Sequence, residues 1–119
     1  MLQVKIDLFP LWTDATAATA RYHSASMAKN DYFSHGDLMG KQVEDRASKF
    51  GVSDWRWIGE NIAWVSGHPD PASRVVECWM RSRGHRENIL QSKFREGGIG
   101  MALASDGKYY FTQVFLFRK

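Results

Sequence analysis

The chain has 119 residues, which is enough for one domain with a hydrophobic core and too few for two. Hydrophobic residues make up 44% of it, and five Trp, four Tyr and seven Phe exclude a disordered chain. The formal net charge of +3 is mildly basic, and no run of like charges is longer than two, so no nucleic-acid partner is expected.

The single cysteine and the first residues bear on the cellular compartment. One cysteine, Cys78, excludes an internal disulfide, and its place beside Trp79 predicts a core residue. The sequence has no transmembrane run, and Lys5 and Asp7 interrupt the apolar stretch that a secretion signal needs. These features predict a cytosolic protein or a mature domain excised from a longer exported one.

The first half of the chain predicts two helices and a strand. Helix 13–30 is capped by Thr13 or Asp14, and His23 lies within it as an outward or satisfied structural histidine. A second helix covers 40–50 and stops at Gly51. After it, residues 55–65 are predicted to form a short strand followed by a buried run.

The second half predicts a third helix and a hairpin. His68 belongs to an exposed turn, after which Asp70 caps a helix over 71–83, and a short helix follows near 88–90. The hairpin turns at Asp106 and Gly107, and its last strand is apolar on both faces. Helices first and a doubly covered sheet last predict an α+β fold, a three-layer α-β-α sandwich with a mainly antiparallel sheet.

Three ionisable residues stand at equal intervals in polar turns. His35, Glu60 and His85 are 25 residues apart at each step. If the turns converge, they form a His/Glu/His pocket able to bind zinc or another divalent metal, or to move protons. The alternative is a buried hydrogen-bond network that locks three loops together, in which replacing His85 would leave Glu60 without its partner.

Several motifs together resemble one family. They are Gly-Glu-Asn-Ile-Ala at 59–63, Trp-Met-Arg-Ser-Arg-Gly-His-Arg-Glu-Asn-Ile-Leu at 79–90, Gly-Ile-Gly-Met-Ala at 98–102 and Tyr-Phe-Thr-Gln-Val-Phe at 110–115. Residues 23–28 and 33–35 fit the same pattern. The sequence resembles the CAP superfamily of cysteine-rich secretory proteins, antigen 5 and pathogenesis-related-1 proteins, in its small bacterial SCP-like form, over about residues 10–117.

The resemblance implies both a fold and a cleft. Family members share the α-β-α sandwich and a central cleft lined by two histidines and two acidic residues. By motif, His35 and His85 take the histidine positions, Glu60 takes one acidic position and Ser82 stands at the other. The family's usual N-terminal helix is missing or shortened in this single domain, 1–119, and the family relationship suggests an extracellular or cell-envelope location.

The sequence leaves the function open between classes. We expect a binding or signalling module, more a binding protein than an enzyme, with weak zinc binding by His35, His85 and Glu60. The alternatives are a hydrolase that uses Ser82, His85 and Glu60, or a lipid- or sterol-binding module. The partner is therefore a protein, a lipid or a small molecule. A cysteine protease is disfavoured, because Cys78 and His85 would lie about 10 Å apart along a continuous helix.

Overall fold

A computed structural model describes residues 11–91 and 93–118, and its strands form one four-stranded sheet. In space the order is β1-β3-β4-β2, so β2 lies at one edge. β1 pairs in parallel with β3, whereas β3 and β2 both pair antiparallel with β4. The strands are β1 (Leu11–Trp12), β2 (Trp55–Val65), β3 (Glu96–Leu103) and β4 (Tyr109–Arg118).

Four helices cover the two faces of this sheet. They are α1 (Asp14–Asn30), α2 (Val43–Lys49), α3 (Pro71–Arg81) and α4 (Arg83–Leu90). One core cluster joins α3 and α4 to Phe111 and Phe115 of β4. On the opposite face, Tyr110 packs near α1 and Leu116 packs against α2. Alternate residues of β4 thus face alternate helical layers, and the predicted α-β-α sandwich is confirmed.

The last strand is central, as its two apolar faces predicted. β4 lies between β3 and β2, and residues 110–116 are all buried. The β3–β4 hairpin turns at Asp106 and Gly107, and Gly107 has a φ of 94°, a conformation that glycine adopts without strain. The strand therefore organises both halves of the core.

The boundaries of the elements differ from the expected ones in four places, and one of them is α4, which was expected near 88–90 and begins at Arg83. α2 begins at Val43, not 40, because Gly40 has a φ of 79° and Gln42 starts the helix in a capping box with Asp45. α3 ends at Arg81, and the extended backbone of Ser82 separates it from α4. Residues 55–65 form one continuous strand, whose outer residues are half exposed because it lies at the sheet edge.

The prediction that Cys78 is a core residue is wrong. Its thiol is free and exposed, because α3 turns Val75, Val76 and Trp79 toward the sheet and leaves Cys78 off that face. His68 is exposed, as predicted. No helix within the described ranges is long and apolar enough to cross a membrane. The expected loss of the N-terminal helix concerns residues 1–10, which lie outside the described residues.

Candidate functional site

The four residues singled out in the sequence line one cavity of about 260 Å³. His35 comes from the loop between α1 and α2, Glu60 from β2, Ser82 from the α3–α4 junction and His85 from α4. The remaining lining residues are Asn61, Gly84 and Asn88. The cavity opens at the edge strand β2, where loops from both helical layers meet.

His35 and Glu60 form a directly bonded pair. His35 Nδ1–H donates to Glu60 Oε1 over 2.8 Å, and Arg46 Nη2 donates to Glu60 Oε2 over 2.6 Å. The side chains of Glu60 and Arg46 are 3% and 2% exposed, whereas that of His35 is 54% exposed. Both oxygens of Glu60 are therefore already bonded, and its charge is balanced inside the protein.

Arg46 was not among the residues that the sequence pointed to. Its Nη1 donates to the main-chain carbonyls of His35 and Lys41, each over 2.9 Å. One signal was available in the sequence: Arg46 lies three residues after Val43 and four before Phe50, so it shares their face of the predicted helix. A charged residue on a buried helix face needs a partner, but the sequence did not show which partner it was.

His85 is held by a second set of partners. Its Nδ1 shares a 2.8 Å hydrogen bond with Ser82 Oγ, and its carbonyl accepts from Asn61 Nδ2 over 3.1 Å. Asn61 Nδ2 also donates to Gln113 Oε1, and its Oδ1 accepts from Asn88 Nδ2. Glu60 hydrogen-bonds to His35 and Arg46 and not to His85, so replacing His85 does not leave Glu60 without a partner, and that expectation is wrong.

Glu60 and Asn61 of the Gly-Glu-Asn run support the two histidines from opposite faces of the sheet. Side chains of consecutive strand residues point to opposite faces of a sheet. Glu60 faces the layer of α1 and α2 and orients His35, whereas Asn61 faces the layer of α3 and α4 and holds His85. Each histidine is fixed at Nδ1 and at its main-chain carbonyl, so Nε2 is the ring atom left to meet a ligand.

The surroundings of the His85 ring favour its neutral form. Burial lowers the pKa of His85, and the nearby His35 lowers it further. A neutral imidazole can offer a lone pair at Nε2 when the proton resides on Nδ1. His85 is thus suited to accept a proton or coordinate a cation near neutral pH.

His23 supports the same loop from beneath. It is fully buried in α1, and its Nε2–H donates to the Ser34 carbonyl over 2.7 Å, which makes it a structural histidine. Within the described residues its Nδ1 has no hydrogen-bond partner. Burial lowers the pKa of His23, with the charge of Glu60 acting in the opposite direction. His23 therefore serves as a neutral donor next to His35.

The cleft offers few groups that could bind a metal ion or catalyse hydrolysis. Among residues 11–91 and 93–118, no three His, Cys, Asp or Glu side chains are grouped so as to hold a metal ion. The open donors that fit a metal are the two imidazoles, with Glu60 behind one of them. For hydrolysis, Ser82 and His85 are in contact, but Glu60 is bonded to His35 and not to His85.

Comparisons with known proteins agree with the fold. The chain is 40% identical over 121 residues to YlbC of Bacillus subtilis (strain 168), an uncharacterized membrane protein, covering 99% of this chain and 32% of YlbC. It spans about a third of the length of the curated relatives it matches. An extracellular protein containing an SCP domain from Bacillus anthracis str. Ames superposes with a TM-score of 0.76 at 32% identity, over 91% of this chain and 33% of that one.

A more distant structure shows the same fold. An outer surface protein from Borrelia burgdorferi superposes with a TM-score of 0.81 at 22% identity, covering 99% of this chain and 85% of that one. The model of the cysteine-rich secretory protein family, CAP, matches residues 10–115. Together with the sandwich and the sequence motifs, this match shows that the chain belongs to the CAP family as a bacterial SCP-like domain.

Proposed function

We propose that the cleft binds a divalent metal ion, such as zinc, through Nε2 of His35 and Nε2 of His85. The observation that carries this proposal is the way in which both rings are held at Nδ1, one by Glu60 and one by Ser82. A carboxylate bonded to the far nitrogen of a histidine orients the ring and makes it a better ligand. Zinc accepts imidazole nitrogen readily, and solvent fills any positions that the protein leaves open.

The expected affinity is modest. Two imidazoles supply fewer protein ligands than a structural zinc site, which uses four. Glu60 does not add a third, since His35 and Arg46 take both of its oxygens. The metal would serve as a Lewis acid or as an anchor for a ligand group in the cleft.

The wider role that we propose is a binding or signalling module outside the cell. Support comes from the Bacillus anthracis relative, which is an extracellular protein containing an SCP domain. Such a module would act within a longer protein, in keeping with the share of the relatives that it spans. Its partner, a protein, lipid or small molecule, would contact the open side of the cleft.

Calorimetric titration with zinc at neutral pH tests the metal site. We expect the wild type to release heat and the His85→Ala variant to lose it, while its melting temperature stays near that of the wild type, because Glu60 keeps both partners. His68→Ala is the control, since His68 lies in an exposed turn away from the cleft. Absence of heat in the wild type, or undiminished binding in His85→Ala, would reject the site.

A second candidate is lipid or sterol binding. A groove of about 300 Å³ shares Ser82 and His85 with the cleft and is lined by Phe33, Ile62 and Trp64. Its largely apolar walls suit an acyl chain or a sterol ring. The affinity for a fluorescent fatty acid should fall in Trp64→Ala. It should not change in Trp57→Ala, which alters another exposed tryptophan outside this groove. Equal affinities of the two variants for the fatty acid would count against lipid binding.

The hydrolase alternative receives less support from the geometry. A Ser/His/acid mechanism needs an acidic group that orients the histidine through its second nitrogen. Here Ser82 bonds Nδ1 of His85, and no carboxylate of the described residues bonds that ring. An esterase assay with an activated ester should therefore show the same rate for the wild type and Ser82→Ala.

A further inference from the structure

Arg46 is a buried charged residue whose side-chain hydrogen bonds go to Glu60 and to the loop that carries His35. Its side chain is 2% exposed, and its guanidinium reaches three acceptors. These are the carboxylate of Glu60 and the main-chain carbonyls of His35 and Lys41. It does not line the cleft itself, so it acts there only through other groups.

One guanidinium thereby holds His35 at two points. Nη1 fixes the main-chain carbonyl of His35, and Nη2 fixes the carboxylate that in turn bonds the His35 ring. The bond to the Lys41 carbonyl ties down the far end of the same loop. A planar guanidinium presents its donors in a rigid fork, so the positions of the three acceptors are fixed relative to one another.

The exposure of His35 makes this support necessary. Its side chain is 54% exposed, so the surrounding core does not confine the ring. The ring orientation depends instead on Glu60, which is buried and bonded to Arg46. Without Arg46, Glu60 would be free to turn and the loop would lose the bond at the His35 carbonyl.

We propose that Arg46 is the positioning residue of the cleft, which presets the His35 ring and main chain for binding a metal. The inference rests on the proposed metal function, because a positioning residue needs a site to position. It assigns to α2, which contributes no residue to the cleft, the role of setting the geometry of one ligand.

Zinc titration of three variants tests the assignment. Arg46→Met removes the fork and keeps an unbranched side chain, and we expect it to lower zinc affinity about 10- to 100-fold, as loss of groups that orient metal ligands does. Arg46→Lys keeps the charge near Glu60 but cannot reach three acceptors at once, so a smaller loss is expected. Leu116→Ala is the control, because Leu116 packs against Ala47 of α2 in a cluster that includes none of the three acceptor residues.

The outcomes separate positioning from general loosening of α2. A loss of zinc affinity in Arg46→Met that exceeds the loss in Leu116→Ala, with partial rescue in Arg46→Lys, supports the proposal. Affinity within about twofold of the wild type in Arg46→Met, or an equal loss in Leu116→Ala, overturns it. If Arg46→Met does not fold, the comparison of Arg46→Lys with Leu116→Ala decides in the same way.

A measurement without metal keeps this inference apart from the metal proposal. In the metal-free protein, the Nδ1–H of His35 bonded to Glu60 should give a proton NMR signal that exchanges slowly with water. We expect this signal in the wild type and in Leu116→Ala, and its loss in Arg46→Met. If the wild type fails to bind zinc, the metal proposal falls. The positioning role is then judged by the NMR signal alone. Loss of the signal in Arg46→Met supports that role, and an unchanged signal in Arg46→Met overturns it.

Discussion

Glu60 is the residue on which the charge balance of the cleft depends. Its carboxylate pairs with Arg46 over 2.6 Å, and both side chains are almost completely buried. Glu60→Gln keeps the shape but leaves the guanidinium without an opposite charge. We expect the free energy of unfolding to fall by about 3–5 kcal/mol, the usual cost of breaking a buried ion pair on one side. Urea unfolding of the purified domain measures it.

An exposed glutamate provides the control for that measurement. Glu87 pairs with Arg83 one helical turn away on α4, over 2.9 Å, and its side chain is 63% exposed. Solvent screens such a pair, so Glu87→Gln should change the free energy of unfolding by about 0.5 kcal/mol or less. If the free energy of unfolding falls equally in the two variants, burial is not the reason that the Glu60–Arg46 pair stabilises the protein.

At this scale the sequence predicted the cavity residues better than their partners. The polar turns and motifs of the sequence indicate His35, Glu60, Ser82 and His85, and all four line the cavity. The second partner of Glu60, Arg46, is not predicted, because their bond depends on how α2 approaches β2 in space. No local pattern contains that information. The partners of a buried charge emerge only when the elements are assembled.

Among the elements, α1 and β3 approach each other most closely at two glycines. A Cβ added at Gly100 would lie 2.2 Å from the main-chain nitrogen of Arg21, and one added at Gly98 would lie 2.4 Å from that of Ala17. Backbone atoms cannot yield as a flexible side chain can. Gly100→Ala should therefore lower the free energy of unfolding by about 1–3 kcal/mol or more, the range for overpacking, as measured by thermal melting.

The same substitution elsewhere supplies a matched control. Gly84 lies in α4, and a Cβ there would meet nothing within 4 Å. Glycine is a poor helix former, so Gly84→Ala should stabilise the protein by up to about 1 kcal/mol. A destabilised Gly84→Ala, or an unaffected Gly100→Ala, would contradict the close-packing account of this layer.

The sequence predicted the elements well where local signals were strong. Asp70 and Pro71 placed the start of α3, and the Asp106–Gly107 pair placed the hairpin turn. The sequence did not predict the extent of a strand that is set by its pairing in the sheet. The pattern over 55–65 changes from mixed to apolar and predicts a short strand followed by a buried run. In the structure the whole segment pairs with β4 apart from one irregularity near its start.

For the whole molecule, sheet order determines where a site can form. Because β2 is an edge strand, a cavity beside it can draw residues from both helical layers, and Glu60 and Asn61 serve one layer each. The motif order alone did not predict this, since the sequence does not state which strand lies at an edge. The cleft is thus a product of topology as much as of its residues.

The stability of the whole domain should depend on pH through His23, which is buried, and His85, which is half-buried. Burial lowers the pKa of His23, and burial also lowers that of His85. The folded protein therefore holds fewer protons on these rings than the unfolded chain, whose histidines titrate near pH 6.5. Proton linkage then makes the stabilisation complete above about pH 6.5, and it is lost progressively as the pH falls below that value.

Melting temperatures measured between pH 5 and pH 8 check this dependence. Most carboxylates remain charged across that range, so the histidines dominate the slope. In His23→Gln the amide can still donate to the Ser34 carbonyl but does not titrate, so the curve should be flatter than that of the wild type below pH 6.5. A wild-type melting temperature that rises as the pH falls toward 5 would contradict the expected sign. An unaltered slope in His23→Gln would remove His23 as its source.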